Sequence, residues 1–149
     1  MLLGRPQLDV SRPTVDGVGL YAYAAPPAQG KRKPPVTGDE LAVAIDEACK
    51  KAKCHPAEIA LRIADCNGLD VRFEESALAE AIMFRTAGAV PHLWLPAECL
   101  GEVGTASALA SIAWACHAKR KGYLPGSRVL VHASNEGPLR GAAILKFEG

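Results

Sequence analysis

Pro96-Ala-Glu-Cys-Leu-Gly-Glu-Val-Gly-Thr-Ala-Ser-Ala-Leu-Ala-Ser-Ile-Ala-Trp114 is a loop followed by a slim helix of small, uncharged residues, and it decides the fold. The loop turns at Gly101 and Gly104, and alanine, serine and threonine occupy most of the positions that follow. A helix this apolar is usually buried on all sides, with other backbone segments packed closely against it. The stretch therefore predicts a central helix at about 104–121, around which the remaining elements are arranged.

Strand and helix patterns alternate along the rest of the chain. Short apolar runs bounded by glycine and proline predict strands, and apolar residues at intervals of three and four predict helices. Alternating strands and helices imply a mostly parallel sheet, to which a final hairpin adds one antiparallel strand. The chain is therefore predicted to be an α/β protein of the order β-α-β-α-β-α-β-β with a five-stranded sheet. The predicted strands are 17–25, 59–64, 92–95, 128–133 and 142–147, and the predicted helices are 37–53, 73–86 and 104–121.

Two further expectations concern which side chains are buried. In the second helix Leu78, Ala81, Ile82 and Arg85 give an amphipathic period, and the apolar side of such a helix normally faces the core. His132 falls in a strand that should be buried. It is therefore predicted to be a hydrogen-bonded core histidine rather than a catalytic base.

The length and composition predict a single domain over residues 1–149. Of these residues 49% are hydrophobic and 22% are charged, which is ordinary for a globular protein. Prolines interrupt residues 1–16, which are predicted to be an irregular lead-in, and a proline-rich basic loop is predicted at 26–38. The opening Met1-Leu-Leu-Gly4 starts abruptly, as though it continued an upstream segment, and the sequence leaves open whether Met1 is the native start.

Charge, aromatic content and cysteine spacing exclude several classes of function. A net charge of +1 and an aromatic content of 5% disfavour partners such as nucleic acid or a membrane surface. The five cysteines are odd in number and form no Cys-x-x-Cys pair, and no secretory signal is visible, which predicts reduced thiols in a cytoplasmic protein. Gly17-x-Gly19 lacks the third glycine and the following helix of a dinucleotide-binding loop, so no cofactor is predicted. No metal site is predicted either.

The order of strands and helices, together with three segments, resembles the carboxyl-terminal half of the thiolase-like fold of β-ketoacyl synthases. The resemblance covers about residues 17–147. Gly101-Glu-Val-Gly-Thr-Ala-Ser-Ala-Leu-Ala110 resembles the family's Gly-His(or Asn)-x-x-Gly-Ala-Ala segment before its buried helix. Ala64-Asp-Cys-Asn-Gly-Leu69 lies where these enzymes carry a His-Gly-Thr-Gly-Thr loop. Tyr123-Leu-Pro-Gly126 and the strand after it match the stretch that follows the buried helix.

The departures from the family pattern imply a protein that has lost the reaction. The nucleophilic cysteine belongs to the other half, and none of the five cysteines here matches its place. The family's two other catalytic side chains would align with Asp65 and Glu102, which put negative charge where a developing oxyanion needs donors. The Gly-Phe-Gly-Gly loop near the acyl site is replaced by Asn135-Glu-Gly-Pro-Leu-Arg140. The resemblance therefore implies no catalytic residue, and Asp65 and Glu102 are degenerate versions of the family's catalytic positions.

Several residues remain candidates for the lining of the former active-site pocket. Asp65 and Glu102 are expected to face each other across it, because both follow strand ends. This carboxylate pair is either an acid and base, a cation site, or a pair of hydrogen-bonded loop residues. The other candidate pocket residues are Cys66, Asn67, Gly68, Gly101, Gly104, Asn135 and Glu136.

The resemblance also implies a protein partner. Ala64-Asp-Cys-Asn-Gly68 and Glu98-Cys-Leu-Gly-Glu-Val-Gly104 resemble degenerate thiolase-like proteins of bacterial type VI secretion clusters, which are accessory or chaperone-like. The expected partner is a second copy, a separate amino-terminal half, or a secretion effector with its adaptor. Two alternatives stay open: an acyltransferase whose nucleophile-bearing half is another chain or segment, and an acyl-chain binding module.

Overall fold

Five strands form one mixed sheet in a computed structural model that describes residues 13–22 and 35–148. The sheet order is β1-β5-β4-β2-β3. β4 pairs in parallel with β2, and β2 with β3, whereas β5 is antiparallel to both of its neighbours. The predicted α/β class and the mostly parallel sheet with an antiparallel last strand are thus confirmed. The strands are β1 (Thr14–Ala22), β2 (Leu61–Ala64), β3 (His92–Trp94), β4 (Arg128–Ser134) and β5 (Leu139–Lys146).

Three of the four α-helices in the described part of the chain occupy the predicted places. The fourth is a single turn after β3, in a stretch that was predicted to be a loop. The predicted central helix begins as a 3-10 turn at Gly104–Ala106, where Gly104 has a φ of 56°, and is regular only from Ser107 onward. The helices are α1 (Asp39–Ala52), α2 (Asp70–Phe84), α3 (Ala97–Leu100) and α4 (Ser107–Lys121), and a further 3-10 turn spans Pro56–Glu58. No helix in these ranges is long and apolar enough to cross a membrane.

The amino-terminal strand begins earlier than the sequence pattern indicates. β1 starts at Thr14, so residues 14–16 of the expected irregular lead-in are strand. The early start follows from pairing, because Thr14 and Val15 lie opposite Lys146 and Leu145 of β5. The predictions for residues 1–12, for the end of the first strand at 23–25 and for the loop at 26–34 concern positions outside the described residues.

The sheet separates two apolar layers. On one face α1 packs against β1 and β5, and its predicted stripe, including Leu41 and Ile45, is completely buried. On the other face Ala115 of α4 packs with Val129 and Val131 of β4. Successive residues of a strand point to opposite faces, which is why neighbouring positions of β4 contribute to different layers.

The side of α2 that faces the sheet is opposite to the predicted one. Its buried side carries Glu75, Ser76 and Ala79, while Leu78 and Ile82 are exposed. The cause is Arg62 on β2, which is only 2% exposed and whose guanidinium donates to the carbonyl and hydroxyl oxygens of Ser76. A buried cation requires acceptors, and the polar side of α2 supplies them.

The central helix is also exposed where burial was predicted. On α4 only Ser111, Ala115 and Ala118 are buried, and Leu109 is 71% exposed. The sheet covers one side of α4, and no element of residues 13–22 or 35–148 packs on the other side. The expectation of burial on all sides is therefore wrong for the described part of the chain.

Candidate functional site

A cleft of about 650 Å³ lies beside the amino-terminal end of α4, at the carboxyl ends of β2 and β4. The loops that follow parallel strands meet at this edge of a sheet, and ligand sites of α/β proteins are commonly found there. A much smaller cavity adjoins the cleft, shares Asp65 and Glu102 with it, and includes Gly101. Six residues predicted from the sequence line the cleft: Asp65, Asn67, Glu102, Gly104, Asn135 and Glu136.

Two of the candidate pocket residues line neither cavity. Cys66 is buried on the α2 side of the sheet, where its thiol donates to the carbonyl oxygen of Arg72 at 3.6 Å. Burial raises the pKa of this thiol, which makes it a poor nucleophile. Gly68 is exposed with a φ of 92°, and its role is to turn the loop. The sequence could not separate these two from their neighbours, because side chains in a short loop do not alternate regularly.

Asp65 is a half-buried carboxylate at the end of β2. Its Oδ2 accepts a hydrogen bond from the backbone N–H of Ser134 at 2.9 Å. Burial raises the pKa of Asp65 above its usual value, while the hydrogen bond from Ser134 and the charge of Arg72 act in the opposite direction. Asp65 thus ties the end of β2 to the end of β4.

Glu102 is an exposed carboxylate that connects two loops. Its Oε1 accepts the backbone N–H of Gly104 at 2.7 Å, and its Oε2 accepts the side-chain amide of Asn67. The bond from Asn67 and then the bond from Gly104 hold the pKa of Glu102 below its usual value. An N–H next to the start of α4 is therefore directed at the protein's own carboxylate rather than at an external oxyanion.

The cleft lining also contains residues that sequence reasoning missed. Arg72 of α2 lines the cleft and donates to the carbonyl oxygen of Ser134. Among the described residues it is the one cation in the lining, against the carboxylates of Asp65, Glu102 and Glu136. No motif marks Arg72, because its place depends on how α2 sits on the sheet. The lining contains no thiol, so the described residues offer no cysteine nucleophile to this cleft.

His132 of β4 is buried as predicted, but it has no hydrogen-bond partner. Its side chain is almost completely covered, and neither ring nitrogen finds a donor or acceptor within residues 13–22 and 35–148. Burial, helped by the charge of Arg62, lowers the pKa of His132 to about 3. The imidazole is therefore neutral, and the expectation of a hydrogen-bonded histidine is wrong.

The neutral state of His132 predicts that the fold loses stability in mild acid. Between about pH 3 and 6.5 the unfolded chain binds a proton here that the folded chain excludes, so stability falls as the pH falls. We expect the free energy of unfolding to drop by about 2 kcal/mol from pH 7 to pH 5, measured by urea denaturation. His132→Phe should remove most of this drop. Asp65→Asn is the control. The pKa of Asp65 is raised in the folded protein, so this carboxyl group adds stability as the pH falls, and its replacement should not reduce the drop. An equal drop in His132→Phe would contradict the assignment.

One face of α4 is open to solvent. We call Ala106, Leu109, Ala113, His117 and Arg120 the α4 face; all five are exposed and recur at helical spacing. Trp94 contacts one aromatic ring of α4 and one just after it: its centroid lies 5.7 Å from that of Trp114 and 5.9 Å from that of the exposed Tyr123. Exposed apolar surface next to polar ends is typical of a protein interface.

Comparison with known proteins gives a fold but no close relative. No family model matches the sequence, and no curated protein sequence is significantly similar to it. Among solved structures, the ishigamide ketosynthase/chain length factor matches with a TM-score of 0.75 at 19% identity, over 91% of this chain and 38% of that one. A β-ketoacyl synthase from Burkholderia phymatum STM815 matches with a TM-score of 0.74 at 17% identity, over 92% and 38%.

A third match is a complex of two proteins. A ketosynthase in complex with its chain length factor, from Xenorhabdus doucetiae, matches with a TM-score of 0.74 at 16% identity, over 90% of this chain and 39% of that one. The present chain thus spans less than two fifths of the length of these proteins. It has the fold of a thiolase-like ketosynthase half-domain.

Proposed function

We propose that this protein is a non-catalytic thiolase-like accessory protein that acts by binding another protein through its α4 face. The observation that carries the proposal is the exposure of α4 on the side away from the sheet, where Leu109 is 71% exposed. No element within residues 13–22 and 35–148 covers this face. Contact with a partner removes this apolar area from water.

The chemistry of the cleft supports a role without catalysis. Condensation of acyl groups needs hydrogen-bond donors at the developing oxyanion. Here Glu102 is ionised at neutral pH, because its pKa is lowered, and it accepts the N–H of Gly104. Asp65 is a second acceptor in the same cleft, bonded to Ser134. The arrangement repels negative charge where the reaction would need to stabilise it.

The partner class follows from two resemblances. One matching structure is a ketosynthase in complex with its chain length factor, which supports a protein that works through pairing. The segments at 64–68 and 98–104 resemble type VI secretion-associated thiolase-like proteins, so the proposed partner class is a secretion effector or its adaptor. The proposed role is that of a chaperone or adaptor. All five cysteines are free, which fits the proposed location in the cytoplasm.

The test is binding to purified proteins encoded beside this gene, measured by calorimetry. Leu109→Asp should weaken the interaction by at least about thirtyfold, because it places a charge in the centre of the buried patch. The control is Val43→Asp: Val43 is 48% exposed on α1, on the opposite side of the sheet. This variant should bind within about twofold of the unchanged protein. Equal binding by the Leu109→Asp variant would refute the proposed surface.

The same preparation separates the two alternatives. Acyl transfer from a thioester in the presence of a partner, lost in Glu102→Ala, would favour an acyltransferase completed by another chain. A lipid retained through purification would favour an acyl-chain binding module. The carboxylate of Glu102 lines the cleft and would repel the oxyanion that forms during acyl transfer, so that activity is not expected.

A further inference from the structure

We propose that the α4 face binds a second copy of this chain, with the two α4 helices antiparallel about a two-fold axis at the level of Ser111. This inference rests on the proposed function, since it names the occupant of the same surface when no secretion partner is bound; the second copy and that partner then compete for the α4 face. A two-fold dimer uses one patch on both copies, so the patch must be complementary to itself. The charges and shape of α4 meet this requirement.

The two ends of α4 carry opposite charge. Exposed acids, Glu98 and Glu102, lie just before its amino-terminal end, and exposed bases, Arg120 and Lys121, lie in its last turn. Antiparallel helices place the basic end of one copy beside the acidic end of the other, and their helix dipoles also oppose favourably. A parallel arrangement would bring like charges together at both ends. The charge pattern therefore selects the antiparallel arrangement.

The middle of the α4 face suits close contact between two helices. Leu109 and Ala113 lie at equal distances on either side of Ser111 along the helix. A two-fold axis at that level sets Leu109 of one copy against Ala113 of the second copy, and the reverse. A large side chain then meets a small one at both contacts, which lets the helices approach closely and covers Leu109.

The cleft gains an occupant in this arrangement. It lies at the amino-terminal end of α4, and its described lining carries three carboxylates, those of Asp65, Glu102 and Glu136, against the single guanidinium of Arg72. In the antiparallel dimer Arg120 of the second copy comes to the level of Glu102. The excess negative charge at the mouth of the cleft is then matched by the basic end of the other α4. The cleft thus serves as part of an interface.

Sedimentation velocity of the full chain over a range of concentrations tests the dimer. We expect a monomer–dimer equilibrium that weakens by about tenfold or more in Arg120→Glu/Lys121→Glu, with a smaller effect at high salt. Lys50→Glu is the control, since Lys50 is exposed on α1 and pairs with Asp46 of the same helix. It should leave the dimer unchanged. Circular dichroism checks that each variant is folded.

Disulfide trapping tests the antiparallel register. Leu109→Cys and Ala113→Cys are made separately in a chain whose Cys99 and Cys116 are replaced by serine, because these two are the native cysteines that are not buried. A mixture of the two variants should form a cross-linked dimer on mild oxidation, whereas each variant alone should form little. Equal cross-linking by either variant alone would overturn the antiparallel arrangement.

Failure of this inference can be distinguished from failure of the proposed function. A chain that is monomeric at every concentration overturns the second copy as occupant. If Leu109→Asp still abolishes binding of a different protein, the accessory role of the α4 face stands. If the chain is a dimer through α4 and binds no other protein, the proposed effector or adaptor partner is refuted, whereas the proposed dimer is supported.

Discussion

Gly19→Ala is expected to lower the free energy of unfolding by about 3 kcal/mol, at the upper end of overpacking effects. β1 lies so close to α1 that a Cβ at residue 19 would overlap the carbonyl oxygen of Ala44 and lie 2.8 Å from the amide nitrogen of Ala48. Both neighbours are backbone atoms of a regular helix, so no side chain can rotate away. The strand and the helix must separate along their length, which opens the layer that contains Leu41 and Ile45.

Urea denaturation of Gly19→Ala measures this effect, and Gly137→Ala is the matched control. A Cβ at Gly137 meets only side-chain atoms of Asn135, the nearest at 3.5 Å, which is ordinary van der Waals contact. The control should change stability by less than about 1 kcal/mol, because alanine also restricts the unfolded chain. Similar midpoints for both variants would show that β1 and α1 are not in close backbone contact.

Arg62→Met is expected to destabilise the fold by about 3 kcal/mol, the lower end for breaking a buried ion pair. Arg62 is almost fully buried on β2, between β4 and β3, and binds both Ser76 and Glu80 of α2. Without the guanidinium, the polar side of α2 loses its partners while facing an apolar sheet. Glu80 is 29% exposed and can regain some water, which keeps the cost from being larger.

Two controls separate burial from charge in this experiment. Lys50→Met breaks the ion pair between Lys50 and Asp46, whose side chains are 76% and 46% exposed, respectively. It should lower the free energy of unfolding by less than about 0.5 kcal/mol. Arg62→Met/Glu80→Met removes both charges and should recover part of the loss, since no carboxylate is left without its partner. A double variant as unstable as Arg62→Met alone would mean that shape, not charge, explains the effect.

The order of strands and helices could be predicted because it depends on local patterns. Glycine and proline bound the strands, and the stripe of Leu41 and Ile45 marks the buried side of α1. The buried side of α2 could not be predicted in this way. The buried side of α2 is set by Arg62, which lies on a different element, β2. The buried guanidinium needs hydrogen-bond acceptors, and this need outweighs the gain from burying Leu78 and Ile82. The exposure of α4 likewise depends on what covers it, which its own residues do not encode.

The location of the cleft could be predicted, but its hydrogen bonds could not. Asp65 and Glu102 line one cavity because the ends of neighbouring strands meet there, as the order of elements implies. The bonds from Asn67 to Glu102 and from Ser134 to Asp65 depend on loop conformations that no periodic pattern describes. Arg72 reaches the cleft only through the position of α2, so no sequence signal identifies it.

The place of β5 between β1 and β4 has a consequence for how the chain folds during synthesis. Thr14 at the start of the first strand lies opposite Lys146 at the end of the last strand. In the described sheet β1 has no other strand to pair with, because β5 is its single neighbour. Of the strands in the described residues, the first to be synthesised must therefore wait for the last. Until then the side of α1 that packs on β5 lacks its cover, and such long-range closure is intrinsically slow.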